Sequence, residues 1–141
     1  MEQRFTLITL GVRDLPRSTA FYESLGWRRS VRDAKGVSFF QCGGCAISLF
    51  PRSDLAKDAG ISEDGSGFSG ISLAHNTRTK PEVDTVLAKV AELGAEIVKP
   101  ATEASWGGYS GYFHDPDGHL WEVAWNPMFQ LDDDGNVHLP D

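Results

Sequence analysis

Cys42 and Cys45 form a C-x-x-C within the run FFQCGGCAISLF, a spacing able to support thiol redox chemistry or half of a zinc site. A redox pair usually caps a helix that lowers one thiol pKa, and structural zinc needs further ligands, which are not supplied nearby. Gly43-Gly44 instead joins two strand-like runs, so a hairpin turn is the better account. His114 and His119 flank Asp115-Pro116-Asp117-Gly118, where proline fixes one φ angle and glycine takes a positive one, so both imidazoles are expected at an exposed turn. His75 reads as a strand-end histidine bonded locally. Trp106 lies in SWGGYSGY; the glycines after it would let it move as a stacking lid, and a packed core tryptophan fits the same residues.

These groups must be held by a repeated series of elements. Phe5 to Val12 reads as a strand, and Asp14 can cap a helix in which Pro16 sits in the first turn. That helix runs to about Leu25, with Leu15, Ala20, Phe21 and Leu25 as its apolar stripe and Gly26 as its stop. Strands are expected at Trp27 to Val31, Val37 to Gln41 and Ala46 to Phe50. After a loop from Pro51 to Gly67, rich in Asp, Gly and Ser, the order begins again with GFSGISLAH. Thr79 can cap a helix from about Pro81 to Leu93, and strands follow at Glu96 to Lys99, Gly108 to His114 and His119 to Ala124. An order of elements repeated in this way implies an α+β fold of two tandem βαβββ modules, forming a curved mixed sheet around a cupped pocket. Module one spans about 4–50, a linker 51–67, module two 68–126 and a C-terminal tail 127–141, all within one domain.

Composition sets outer limits on function. Of 141 residues, 40% are apolar and 23% charged, which is globular composition. The formal net charge of -7 argues against binding to nucleic acid or anionic lipid, since both polyanions demand a basic face. No run approaches the roughly 20 apolar residues of a membrane span, and the apolar stretch in MEQRFTLITLGVRDL is too short for a signal segment. A cytoplasmic protein is expected.

The string ITLGVRDLPRSTAFYESLGW from Ile8 to Trp27, together with HDPDGHLWEV from His114 to Val123, resembles the vicinal oxygen chelate superfamily. That superfamily includes glyoxalase I, extradiol dioxygenases, fosfomycin-modifying enzymes and bleomycin-binding resistance proteins. The resemblance implies a scaffold on which unlike chemistries are grafted. In its catalytic members a divalent metal is held by His, Gln or Glu from inner strands of both modules. The matching positions here are Leu7, Ser48, a third near Gly70, and Glu122, of which Glu122 alone is a ligand type. No metal cofactor is therefore expected, and a divalent metal is disfavoured.

With Glu122 inward, strand alternation gives Leu120 and Ala124 the same face and turns Trp121, Val123 and Trp125 away. The outward tryptophans would lie under the module's helix or at a homodimer interface, as is common in the superfamily. The resemblance to fosfomycin-modifying members further implies that Ser110 and Tyr112 face inward, and Thr9 shares the face of Leu7. Leu7, Thr9, Ser48, Trp106, Ser110, Tyr112 and Glu122 are thus the expected ligand-binding residues, with Glu122 and Tyr112 the expected catalytic pair. A carboxylate in a partly closed, metal-free cavity can act as a general base or receive a hydrogen-bond donor; equally, Tyr112, Ser110 or a buried arginine can satisfy it. The expected function is binding of a small polar organic molecule without the usual metal. The alternative is a metal-dependent or Glu-dependent lyase or isomerase of the glyoxalase I type.

Overall fold

A computed structural model describes residues 7–138 except 61, 66, 68, 70 and 106. The chain falls into two compact units, Met1–Ser69 and Gly70–Asp141. The α+β class and the two tandem βαβββ modules expected from the repeat are both present, and each module has an open, four-stranded mixed sheet.

In the first unit, β1 (Leu7–Val12), α1 (Leu15–Ser24), β2 (Arg29–Ser30), β3 (Ser38–Cys42) and β4 (Cys45–Pro51) form a sheet of order β1-β4-β3-β2. β1 and β4 run parallel and the other neighbours antiparallel. The start of α1 follows from its residues: Asp14 is extended and its carboxylate accepts the Arg17 N–H at 3.0 Å, while Pro16 occupies the opening turn. Gly26, at φ 93°, leaves the helix in a conformation that glycine adopts without strain. Beneath α1 the strands bury Leu10, Val12, Phe40, Ile47 and Leu49 against Phe21 and Tyr22. Burying each such side chain contributes about 1.5–3 kcal/mol. Tyr22, Trp27 and Phe40 form an aromatic cluster with ring centroids 5.1 to 5.9 Å apart.

The stretch expected as a loop from Pro51 to Gly67 begins instead with a helix, α2 (Arg52–Ala59). Gly60 closes it at φ 69°. α2 packs on β1 and β4, where Gly11 gives it room: a Cβ there would lie 3.4 Å from Arg52 Cα and from Leu55 Cδ2. Since Leu10 and Val12 face α1, Gly11 places α2 on the opposite side of the sheet.

In the second unit, β5 (Leu73–Asn76), α3 (Lys80–Glu92), β6 (Glu96–Glu103), β7 (Tyr109–His114) and β8 (Leu120–Trp125) repeat the order as β5-β8-β7-β6. Val83, Leu87 and Val90 of α3 pack over a sheet face that buries Phe113, Trp121 and Val123, and Phe113 stacks on Trp121 at 6.3 Å. Thr79 occupies the cap position, but its hydroxyl makes no capping bond. The Glu82 carboxylate accepts the Arg78 N–H at 2.8 Å, and this bond is the main cause that draws the Glu82 pKa below its ordinary value. Asp115 and Gly118, at φ 89°, build the expected turn between β7 and β8. In the tail, β9 (Gln130–Leu131) and β10 (Val137–His138) form a hairpin, and Arg78 Nη2 donates to the Asp132 and Asp133 carbonyls at 2.8 and 3.1 Å. Among the described residues no helix is long and apolar enough to cross a membrane.

Candidate functional site

Two contacts fix which way the second sheet faces. Tyr109 Oη donates to Asp84 Oδ1 of α3 at 2.9 Å, and a Cβ on Gly111 would lie 2.6 Å from Leu87 Cδ1. Tyr109, Gly111 and Phe113 therefore lie under α3, and alternation turns Ser110, Tyr112 and His114 to the other face. On β8 the buried Trp121 and Val123 take the helix side, leaving Leu120, Glu122 and Ala124 with Tyr112. The β7–β8 register is unbroken and sets Tyr112 opposite Glu122, so Tyr112 Oη donates to Glu122 Oε1 at 2.9 Å. Burial raises the Tyr112 pKa above its ordinary value of 10.0, and the bond to Glu122 and the carboxylate charge raise it further. The phenol thus keeps its proton over a wide pH range.

Neighbouring strands complete that face. β5 sets Ala74 beside Glu122, and β6 sets Lys99 opposite Tyr112 and Thr102 opposite Ser110. Lys99 Nζ lies 6.0 Å from the centroid of the Tyr112 ring, adding a cation to the carboxylate and the phenol. Sequence reasoning missed Lys99 because the β6–β7 register shifts on both sides of it.

In the first unit, Leu7, Thr9 and Ser48 share the sheet face opposite α1. Thr9 pairs with Ser48 across the parallel strands, and Ser48 Oγ donates to Thr9 Oγ1 at 2.8 Å. Ser48 is buried and Leu7 is exposed. Trp106 lies outside the described residues, as does Gly70.

The donor set does not suit the divalent metal that the family resemblance implies. Leu7 has no lone pair to give, and Ser48, a neutral hydroxyl hydrogen-bonded to Thr9, is not among the usual ligands of a catalytic divalent metal. Ala74 stands beside Glu122, and no three His, Cys, Asp or Glu side chains cluster among the described residues. His75, His114 and His119 are placed elsewhere or already engaged. His75 pairs with Val123 on the α3 side, where burial lowers its pKa below 6.5 against the opposing charge of Glu82. His114 Nδ1 lies 3.2 Å from Glu96 Oε2, and His119 Nδ1 lies 2.8 Å from the buried Asp115 Oδ2. Cys42 and Cys45 are free thiols facing each other across the last rung of the β3–β4 hairpin.

Two βαβββ modules with a carboxylate on the last strand of the second define a class. Residues 4–123 match the family model described as the Glyoxalase/Bleomycin resistance protein/Dioxygenase superfamily, and the chain belongs to that family. It is 25% identical over 117 residues to the metallothiol transferase FosB of Shouchella clausii (strain KSM-K16), covering 82% of this chain and 75% of that protein. Among solved structures, a glyoxalase-related enzyme from Fulvimarina pelagi is 34% identical with a TM-score of 0.88, covering 99% of both chains. Hypothetical protein SA1046 from S. aureus is 26% identical with a TM-score of 0.78, covering 89% of this chain and 95% of that one.

Proposed function

We propose that this protein binds a small polar organic molecule on the face bearing Tyr112 and Glu122, without a divalent metal. The observation that carries this reading is the 2.9 Å bond from Tyr112 Oη to Glu122 Oε1. It occupies one carboxylate oxygen and leaves Oε2, which has no partner among the described residues, for a ligand N–H or O–H. Lys99 beside the Tyr112 ring suits an anionic or carbonyl oxygen on the same ligand. The ligand class is therefore a compact molecule with a donor and an oxygen acceptor a few bonds apart. Leu7 and Ser48, which stand where the metal-using members of the family carry ligands, support the metal-free part of this reading. A cytoplasmic homodimer belongs to the same reading.

A second reading rests on the same pair. With its proton retained, Tyr112 can stabilise a developing oxyanion while Glu122 takes a proton from carbon, as a metal-free lyase or isomerase of the glyoxalase type would need.

Elemental analysis followed by a thermal-shift screen of polar aromatics and antibiotics tests both. A true ligand at a hundred times its Kd stabilises the fold by about 2.7 kcal/mol, or roughly 5–10 °C for a protein of this size. The expected result is such a shift on metal-free protein, lost in Glu122→Gln, with the compound recovered unchanged. Recovery of a converted compound selects the second reading, and one tightly held metal per chain overturns both.

A further inference from the structure

Cys42 and Cys45 take no part in the Tyr112 and Glu122 face, yet the fold sets them side by side. They are direct partners at the end of the β3–β4 hairpin, and the pairing from Ser38 with Leu49 down to this rung is unbroken. Phe40 and Ile47, two residues back on each strand, are buried under α1, so alternation puts both thiols on that side of the sheet. Both cysteines are only half-buried. Gly43 and Gly44 between them are exposed, and a Cβ on Gly44 would meet nothing within 4 Å, so the pair is open to solvent.

The turn holds the two thiols in register. Gly43 takes φ 57°, the positive value that the first central residue of a two-residue hairpin turn requires. A turn of two glycines would otherwise be loose, but Gln41 Nε2 donates to the carbonyls of Gly43 and Cys45 at 2.6 and 3.0 Å and ties it across. Cys45 Sγ donates to the Cys42 carbonyl at 3.3 Å, and Cys42 Sγ to the Phe40 carbonyl at 3.7 Å. A thiol is a weak donor, so both contacts yield readily to a stronger bond at sulfur.

Geometry and ligand number select what can join the sulfurs. The pair that closes a two-residue turn is a hydrogen-bonded one, with Cα atoms about 5.5 Å apart and Cβ atoms at the wide end of roughly 4.5–5.5 Å. A disulfide wants its Cβ atoms near about 3.8 Å, so direct oxidation would have to draw the strands together. One bridging atom between the sulfurs removes that demand. Zinc would need further ligands, and no third His, Cys, Asp or Glu clusters with the pair among the described residues. Copper(I) is soft, prefers thiolate, and is content with two sulfurs in a near-linear arrangement.

We propose that Cys42 and Cys45 form a two-coordinate site for copper(I). Each thiol gives up its proton and donates a sulfur lone pair to the cation; no electron is transferred, and the occupied site carries a single negative charge. Burial and then the nearness of Cys45 push the Cys42 thiol above its ordinary value, which reflects the cost of two thiolates side by side. A monovalent cation between them halves that charge.

Anaerobic titration of the reduced protein with copper(I), in competition with the chromophoric chelator bicinchoninate, tests the site. The expected result is withdrawal of one copper per chain from the chelator, with X-ray absorption showing two sulfur ligands. Cys42→Ser and Cys45→Ser should each weaken binding by roughly a hundredfold or more, because the second sulfur acts at high effective concentration once the first is bound. Cys45→Ser/Ala46→Cys keeps the number of thiols but moves one to the other face of the sheet, and should bind no better than Cys45→Ser. Thermal unfolding of each variant confirms that it folds. No copper withdrawn by wild type would overturn the proposal by itself. Undiminished binding in a folded single variant or in the displaced-thiol variant, or a nitrogen ligand at the copper, would overturn it equally. The copper expected here is monovalent and lost with the thiols; a divalent metal that told against the reading of the Tyr112 and Glu122 face would persist in Cys42→Ser/Cys45→Ser.

Discussion

Tyr112 and Glu122 occupy directly opposite positions on neighbouring antiparallel strands, and the phenol donates to the carboxylate over 2.9 Å. Cross-strand neighbours on one face approach closely enough for such a bond only while the register is continuous between them. The β7–β8 pairing meets that condition, with six consecutive partners from Tyr109 to His114. Glu122 thereby gains a fixed orientation from its own sheet.

The pair predicts a spectroscopic response. Glu122→Gln removes the charge that helps hold the proton on Tyr112, so the phenol should ionise at lower pH than in wild type, although burial, the larger cause, still keeps its pKa raised. A phenol whose pKa is raised by folding contributes stability that is present below its unfolded pKa near 10 and lost as pH rises through the folded value. The variant should therefore show a smaller stability loss from Tyr112 in alkaline solution. Phenolate absorbance followed against pH, with Tyr112→Phe identifying the transition, checks this; an unchanged titration would mean that the carboxylate is not felt by Tyr112.

Gly111 is held by close packing, not by an unusual φ. Its missing Cβ would lie 2.6 Å from Leu87 Cδ1, 2.8 Å from the Lys99 carbonyl oxygen and 2.9 Å from Ala101 N. The leucine tip can rotate away; the two backbone atoms cannot do so without moving β6. Gly111→Ala should cost about 1–3 kcal/mol by overpacking, seen as a lower urea midpoint at unchanged slope. Gly44→Ala, where a Cβ meets nothing within 4 Å, provides the contrast.

How far the sequence reveals this structure depends on how local each signal is. Asp14 with Pro16, and the Pro-Asp-Gly of the β7–β8 turn, act within a few residues of themselves, and the elements they bound are found where expected. α2 was concealed because a two-turn helix rich in Asp, Ser and Lys has almost no apolar stripe; it packs on β4, which it follows directly, and on β1, which is distant in sequence and whose Gly11 meets Leu55. β2 covers Arg29–Ser30, shorter than the expected strand, because Val31 leaves extended geometry at φ 46°. The face shared by Ser110, Tyr112 and Glu122 follows from strict alternation on β7 and β8. Lys99 joins it only through shifts in the β6–β7 pairing, which depend on the meeting of two strands and leave no mark in either alone.

Asp115 is the keystone of the β7–β8 turn. Its buried carboxylate accepts the backbone N–H groups of Asp117 and His119, each at 2.9 Å, and meets His119 Nδ1 at 2.8 Å. Asp115→Ala would strip both N–H groups of their acceptor and should cost about 3 kcal/mol in thermal or chemical unfolding. Asp115→Asn retains one acceptor oxygen and should lose less. Equal losses from the two variants would show that the carboxylate's charge toward His119, and not its acceptance from the backbone, is what the turn requires.

The C-x-x-C makes the opposite prediction from the one its motif suggests. A redox-active pair needs a thiol whose pKa is depressed, so that thiolate is abundant at neutral pH. Burial instead pushes the Cys42 thiol above 9.0, the proximity of Cys45 pushes it further, and a backbone hydrogen bond from Ile47 only partly opposes them. Cys42 should therefore alkylate more slowly at neutral pH than a small-molecule thiol. In Cys45→Ser the charge repulsion disappears while burial remains, so the rate–pH profile of Cys42 should move modestly toward lower pH. Quantifying iodoacetamide adducts at each cysteine by mass spectrometry over a range of pH measures both effects. Alkylation of Cys42 faster than that of the small-molecule thiol would return the pair to the redox class.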